Sequence, residues 1–327
     1  MTFNRSRVLI TGGLGFIGSN LARRLVDQGA DVTLVDNLDP RFGGNRFNID
    51  DIKSATSVEI VDVRDESEMR RLVRDKDYLF NLAAQTSHVD SMNDPATDLG
   101  INAVAQLGIL EGCRAGNKDV KIVLTSTRQF YGHPDYLPVD EKHPIRPVDV
   151  NGINKLAGEQ YHLLYHRVYG MRTCALRLTN TYGPRMRVKD ARQTFVGIWV
   201  RQIIEGKPIT VFGDGSQRRD LNYVDDCVDA LLAAAGSETS NGKAYNLGSD
   251  EVVTLKELAQ LIASLREGGR YELLPFPAER KAIDIGDYYG DFSLINRELG
   301  WKPKTSVAAG LKKTLDFYSQ HFRNYWE

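Results

Sequence analysis

Residues 8–18 read Val-Leu-Ile-Thr-Gly-Gly-Leu-Gly-Phe-Ile-Gly, an apolar run that breaks into glycines and is followed, from Ser19 to Gln28, by the pattern of a helix. Strand, glycine turn and helix in this order leave the chain little freedom. The glycines let the backbone turn sharply and keep side chains away from the turn. The helix then starts with free N–H groups and the positive end of its dipole facing outward. That arrangement suits the pyrophosphate of a dinucleotide. A glycine string alone is a common motif, and it is the strand before and the helix after that give this one its meaning.

The next strand, Asp31–Val35, ends at Asp36-Asn37, and Asp36 stands eighteen residues after Gly18. A carboxylate at that spacing accepts bonds from the adenosine ribose hydroxyls and repels a 2′-phosphate, which favours NAD over NADP. Further strands are predicted at Val58–Val61, Asp77–Leu82, Lys121–Leu124 and Thr173–Leu178, with helices at Glu66–Arg74, Pro95–Ala115 and Asn151–Tyr169. Strands and helices that alternate over this length predict an α/β fold with a Rossmann-type, doubly wound parallel sheet. The strand ends deliver Leu82-Ala83-Ala84-Gln85 and Thr125-Ser126-Thr127 to the edge where such sheets place their ligands.

Beyond Asn180 the alternation is interrupted by Pro184, by the basic group Arg185, Arg187, Lys189 and Arg192, and by Gly213-Asp214-Gly215, before a last helix at Val307–Phe317. The expected organisation is a dinucleotide-binding part over 1–180, joined by about 222–250, with 181–327 mainly a smaller substrate-binding portion.

The 327 residues carry a net charge of −1, so nothing draws the whole chain to nucleic acid or to anionic lipid. An anion would need a local cluster of Arg and Lys. Cys113, Cys174 and Cys227 are far apart and fit core packing in a reducing compartment. Met1 to Arg7 has no apolar leader, and no apolar run approaches a membrane span. A cytoplasmic enzyme or binding protein is expected, with no metal, since His162 and His166 lack a matching carboxylate.

With these features in place, the chain resembles the extended short-chain dehydrogenases/reductases, the nucleotide-sugar epimerases and dehydratases. The resemblance rests on Thr11–Gly18, Asp36-Asn37-Leu38, Asp62-Val63-Arg64-Asp65, Leu82-Ala83-Ala84 and Thr125-Ser126-Thr127 with Tyr131-Gly132. It continues through Leu176–Arg185, Gly213–Asp220 and Leu299-Gly300-Trp301-Lys302-Pro303. It implies a tightly held NAD that oxidises a sugar hydroxyl to a ketone and returns hydride after rearrangement. It assigns cofactor contacts to Gly12, Gly15, Phe16, Ile17, Asp36, Asn37, Asp62, Val63, Leu82, Ala83, Ala84, Asn102 and Lys155. Substrate contacts fall to Gln85, Thr127, Asn180, Gln193, Arg219 and Arg280, the arginines for the diphosphate of a sugar nucleotide. Thr127, residue 151 and Lys155 occupy the catalytic positions. A homodimer is implied through the helices at Pro95–Ala115 and Asn151–Tyr169; Leu107, Leu110, Leu156, Leu163 and Leu164 could supply its apolar face or pack on the sheet instead.

Two positions depart from the family. The catalytic Tyr-x-x-x-Lys reads Asn151-Gly152-Ile153-Asn154-Lys155, and the chain has no other Tyr-x-x-x-Lys. Asparagine cannot take up a proton at physiological pH, and losing a general base costs on the order of 10²–10⁴ in rate. Replacement candidates are Thr127, a weak base without an activator, and His88, after the fourth strand, with His133 and His143 behind them. Second, Arg128-Gln129 stands where related dehydratases carry Asp-Glu and decarboxylases a Glu. Elimination and decarboxylation are thus disfavoured, leaving epimerisation through a keto sugar, at C4 ahead of C2. Ala83-Ala84-Gln85 with Asp94-Pro95, and Gln193–Gly197, are similar to 2-epimerases of CDP-dideoxyhexoses. The competing expectations are an impaired protein that still binds NAD and a sugar nucleotide, and a net sugar-nucleotide dehydrogenase.

Overall fold

The computed structural model describes residues 3–326. Six strands alternate with helices along the first half: β1 (Arg7–Thr11), β2 (Asp31–Asp36), β3 (Thr56–Ile60), β4 (Tyr78–Asn81), β5 (Lys121–Thr127) and β6 (Thr173–Leu178). Later strands are β7 (Asn180–Tyr182), β8 (Ile209–Phe212), β9 (Arg218–Tyr223), β10 (Ala244–Asn246), β11 (Val252–Thr254) and β12 (Tyr271–Leu274). The main sheet has the order β10-β6-β5-β4-β1-β2-β3, with every pairing parallel. The order reverses between β1 and β4, so the crevice opens at their carboxyl ends.

The principal helices are α1 (Phe16–Asp27), α2 (Glu66–Val73), α3 (His88–Asn93), α4 (Pro95–Leu99), α5 (Ala105–Gly116), α6 (Val150–Tyr169), α7 (Phe195–Ile204) and α8 (Val224–Ala235). Along β1, Val8 and Ile10 join a core with Leu21, Leu25, Phe80 and Leu231, while Leu9 joins Leu79, Ile109 and Ile122 on the opposite face. This alternation at a period of two, with both faces covered, explains why β1 is apolar from Val8 to Ile10, whereas the edge strand β3 is only partly buried. A third core gathers Tyr182, Trp199, Leu221, Tyr223, Leu258, Leu311 and Tyr318 around the small sheets β11-β9-β7 and β12-β8.

The helix expected over Pro95–Ala115 is broken. A π-helical turn at Gly100–Val104 separates α4 from α5. Gln106 explains the widening: its Nε2 donates to Ile101 O at 3.0 Å, and its Oε1 accepts from Asn81 Nδ2 at 2.6 Å. Buried polar groups thus find partners at the expense of helix regularity. Of the leucines that could form a dimer face or pack on the sheet, Leu110 packs against the sheet and Leu156 beside Phe130 and Tyr288. Leu107 and Leu164 do face outward. Among the described residues, no helix is long and apolar enough to cross a membrane.

Candidate active-site cleft

One end of the cleft is the glycine turn. Gly12 has φ +67°, and a Cβ on Gly18 would sit 2.2 Å from Gly12 O, so α1 can lie against the turn only because residue 18 has no side chain. Gly15 is the N-cap of α1 and supplies no side-chain cap. The first N–H groups of the helix, where Phe16 and Ile17 line the cleft, are therefore left for a ligand.

Asp36 closes the next side. Its Oδ1 accepts from Leu38 N at 2.9 Å and its Oδ2 from Leu14 N at 3.2 Å; burial nevertheless raises its carboxyl above the usual range. Asn37 donates to Asp62 Oδ2 at 2.9 Å, and Arg64 pairs with both Asp62 oxygens, holding that carboxyl well below its ordinary value even against its burial. Val63 and the run Leu82-Ala83-Ala84 complete the walls, and the Leu82 and Ala83 N–H groups are pinned to Thr11 Oγ1 at 3.0 and 3.1 Å. Uncapped amides, a turn with no room for side chains and a strand-end carboxylate form a set that fits NAD.

The other end lies where β5 and α6 meet. Thr127 lines the cleft at the end of β5, its Oγ1 accepting from Gln129 N at 3.1 Å. Lys155 donates to Thr125 O at 2.7 Å, and burial pushes its ammonium down to about 8 against the pull of Asp98 and Glu159. Asn151 lies one helical turn before it. Its Nδ2 donates to Gln85 O at 2.9 Å and to Asp98 Oδ2 at 3.0 Å, which uses both of its amide hydrogens. Its backbone N–H donates to Ser91 Oγ at 3.2 Å. Asn151 therefore ties α6 to the segment 85–91.

That segment carries His88, which lines the cleft with Nδ1 2.9 Å from Oδ2 of the buried Asp149. His133 lies outside the cleft, and His143 is buried, accepting from Asp135 N at 2.8 Å. His162 is buried against Gly158 O and pushed down to about 4 by that burial, and no group of His, Cys, Asp and Glu among the described residues could hold a metal.

Of the expected substrate contacts, Gln85, Thr127, Asn180 and Gln193 line the cleft. Arg219 and Arg280 do not. Arg219 is buried, donating to Arg218 O at 2.9 Å and to Gly286 O, and Arg280 lies over the Phe212 ring. Asn102 is also set back, buried in the π-helical turn and donating to Gln85 O at 2.9 Å, so that it supports the wall without forming it.

The arginine found lining the cleft is Arg128, which sequence reasoning passed over because it was considered only as an acid or base. It stacks 4.7 Å above the Tyr288 ring and donates from Nη2 to Asn180 Oδ1 at 3.2 Å. Its Nη1 and Asn180 Nδ2 are both buried without a protein partner. Two orphaned donors side by side mark a place for ligand oxygens.

Residues 8–248 match the NAD dependent epimerase/dehydratase family. The chain belongs to that family. A putative UDP-glucose 4-epimerase of Methanocaldococcus jannaschii is 32% identical over 319 residues, spanning 97% of this chain and 99% of that one. UDP-glucuronic acid decarboxylase 1 of Danio rerio is 31% identical over 98% of this chain and 74% of its own. Among solved structures, the UDP-glucose 4-epimerase of Thermotoga maritima with UDP-glucose superposes with a TM-score of 0.88 at 30% identity, covering 97% of this chain and 99% of that one. Membership of the epimerase/dehydratase family makes the protein a nucleotide-sugar epimerase/dehydratase-type enzyme that uses NAD.

Proposed function

We propose that the protein is an NAD-dependent epimerase of nucleotide-diphosphate sugars that works through a transient keto sugar, at C4 in preference to C2, with an altered proton-transfer site. The observation that carries this reading is the pair of unpartnered donors on Arg128 and Asn180, set in the same cleft as the glycine turn and Lys155. A ligand rich in oxygen acceptors would satisfy them beside the dinucleotide. The names of the Methanocaldococcus and Thermotoga relatives favour C4. The Danio relative is a decarboxylase, but Arg128 and Gln129 leave no carboxylic acid after Thr127 to move a proton at C5.

In this reading the Gly12–Gly18 turn and Asp36 hold the dinucleotide, and Lys155 reaches its nicotinamide ribose. Bound NAD supplies the oxidising and reducing chemistry at the sugar carbon. Thr127 orients the reacting oxygen, while Arg128, Asn180, Gln85 and Gln193 fix the sugar nucleotide. Asn151, with both amide hydrogens committed, holds α6 against the segment 85–91 and takes no part in proton transfer.

The same commitment favours a second reading, in which the protein binds NAD and a sugar nucleotide without turnover. UDP-, dTDP-, CDP- and GDP-sugars incubated with the protein in deuterated water separate the two by NMR. A new C4 stereoisomer without deuterium at C5 is expected. Binding with no change across the panel would leave only the second reading, and free NADH would mark a net dehydrogenase.

A homodimer belongs to the same proposal. Val104 and Leu107 on one side, and Ile153, Leu164 and Val168 on α6, leave apolar side chains exposed on adjoining helices. A second copy of the chain would cover them.

A further inference from the structure

Among the described residues, five side chains lining the cleft are titratable: Asp36, Asp62, His88, Arg128 and Lys155. No tyrosine lines it, and the neighbouring Tyr131 is buried, bonded to Asn246 and Arg177, and pushed up to about 12 by its burial. Asp36 and Asp62 sit at the dinucleotide end, one held by two backbone N–H groups and the other by Arg64 and Asn37. Lys155 donates to Thr125 O, and Arg128 stays charged at any physiological pH. That leaves His88.

The surroundings of His88 are built. Asp149, the N-cap of α6, has a side chain with no exposure, and it accepts from Gly152 N at 2.6 Å and from Gln129 Nε2 at 2.9 Å. Burial alone would raise its carboxyl. The nearby His88 imidazole, with the bonds from Gly152 and Gln129, outweighs that and holds it below the usual range. A buried carboxylate fixed from two sides presents its remaining capacity to Nδ1 of His88 at 2.9 Å, although Nδ1 makes no well-aligned hydrogen bond there. Catalytic contacts often tighten only when substrate is bound. Nε2 has no protein partner among the described residues and keeps some exposure, and His88 is one of the residues that line the cleft.

The position of the loop also depends on residue 151. Asn151 grips Gln85 O, Gln85 brackets Ser87, and Ser91 Oγ receives the Asn151 N–H. The residue that replaces the family's tyrosine thus anchors the loop on which the histidine stands.

We propose that His88, oriented by Asp149, is the acid–base residue of this enzyme and takes over the proton transfer of the missing tyrosine. The proposal rests on the keto-sugar reading above. In the oxidation half, the sugar O–H bond breaks and its proton goes to Nε2 as the same carbon gives up hydride, NAD being the oxidant. In the return half the ketone oxygen recovers the proton and the carbon recovers hydride. Protons and electrons balance over the cycle. Asp149 stabilises the imidazolium and is not itself protonated, the role a buried carboxylate plays beside a catalytic histidine elsewhere.

The test uses the full-length protein with NAD. Nitrogen-15 NMR of the natural protein is expected to show His88 as the Nδ1–H tautomer, with Nε2 free to accept, and D149N to lose that preference. H88Q is expected to bind NAD and UDP within about threefold of the natural protein while its first-turnover rate falls about 10²–10⁴-fold. In H88A, added imidazole is expected to restore part of the rate. Full turnover in H88Q, or an Nε2–H tautomer in the natural protein, overturns this proposal alone. Absence of turnover by the natural protein on every sugar tested overturns both the proposal and the reading beneath it.

Discussion

Asn151 Nδ2 lies 3.0 Å from Asp98 Oδ2, and Asn154 Nδ2 lies 2.8 Å from Asp98 Oδ1, so one fully buried carboxylate clamps two amides on a single turn of α6. Restoring the family's tyrosine by N151Y removes the donor to both Asp98 and Gln85, and a phenol has one hydrogen to give. Leaving a buried acceptor short costs roughly 1–3 kcal/mol. N151Y is expected to lose about that much stability in urea titrations and to turn over more slowly than the natural protein.

G18A addresses the cofactor. The new Cβ would meet the carbonyl oxygen of Gly12 at 2.2 Å, a backbone atom that cannot swing away. Overpacking of this kind costs about 1–3 kcal/mol, and it displaces the turn that NAD would rest on. Loss of NAD from the purified protein, measured by its release on denaturation, is expected together with a lower urea midpoint.

Lys155 makes stability depend on pH. Its folded value of about 8 is below the model-compound value of 10.5. Below pH 8 both the folded and unfolded chains hold the proton, and the penalty for burying the ammonium is constant. Between these values the unfolded chain holds a proton that the folded chain has shed, so stability from this group rises with pH. The NAD-free protein is expected to gain stability from pH 8 to pH 9.5 relative to K155M, read as the difference between their urea midpoints at the two values.

R128Q tests the substrate end. It removes the charge beside Asn180 and the stack on Tyr288 while keeping a polar side chain. A charge-assisted hydrogen bond contributes about 1.5–3 kcal/mol, equivalent to roughly 10–150-fold in affinity. UDP titrated calorimetrically into the variant is expected to bind at least tenfold more weakly, with NAD binding unchanged.

The parallel sheet could be read from the sequence because its inner strands are buried on both faces and its turns carry glycine and aspartate where geometry demands them. Asp36 was legible for the same reason, since its spacing from the glycine turn is fixed by the fold; Lys155, within α6, was legible only through the family resemblance. What the sequence hid was lateral. His88 and Asp149 are far apart in the chain and meet only because α3 packs on α6. Arg128 and Arg219 are both arginines near strand ends, and only the packing shows that Arg128 lines the cleft while Arg219 is engaged by Gly286 and Asp284. The π-helical turn depended on the pairing of Gln106 with Asn81 across the sheet, which no local pattern carries.

Strand β10 gives the molecule a different kind of constraint. The chain leaves the large sheet after β6, builds β7, β8 and β9 elsewhere, and then re-enters beside β6 through Ala244–Asn246. The intervening stretch is sewn to the dinucleotide sheet at both ends. A cut at residue 180 would therefore yield a fragment with β6 exposed as a raw edge and without the fully buried Tyr245, not a free-standing module. The two regions are expected to unfold together, since the chain crosses between them more than once and neither half hangs on a single tether.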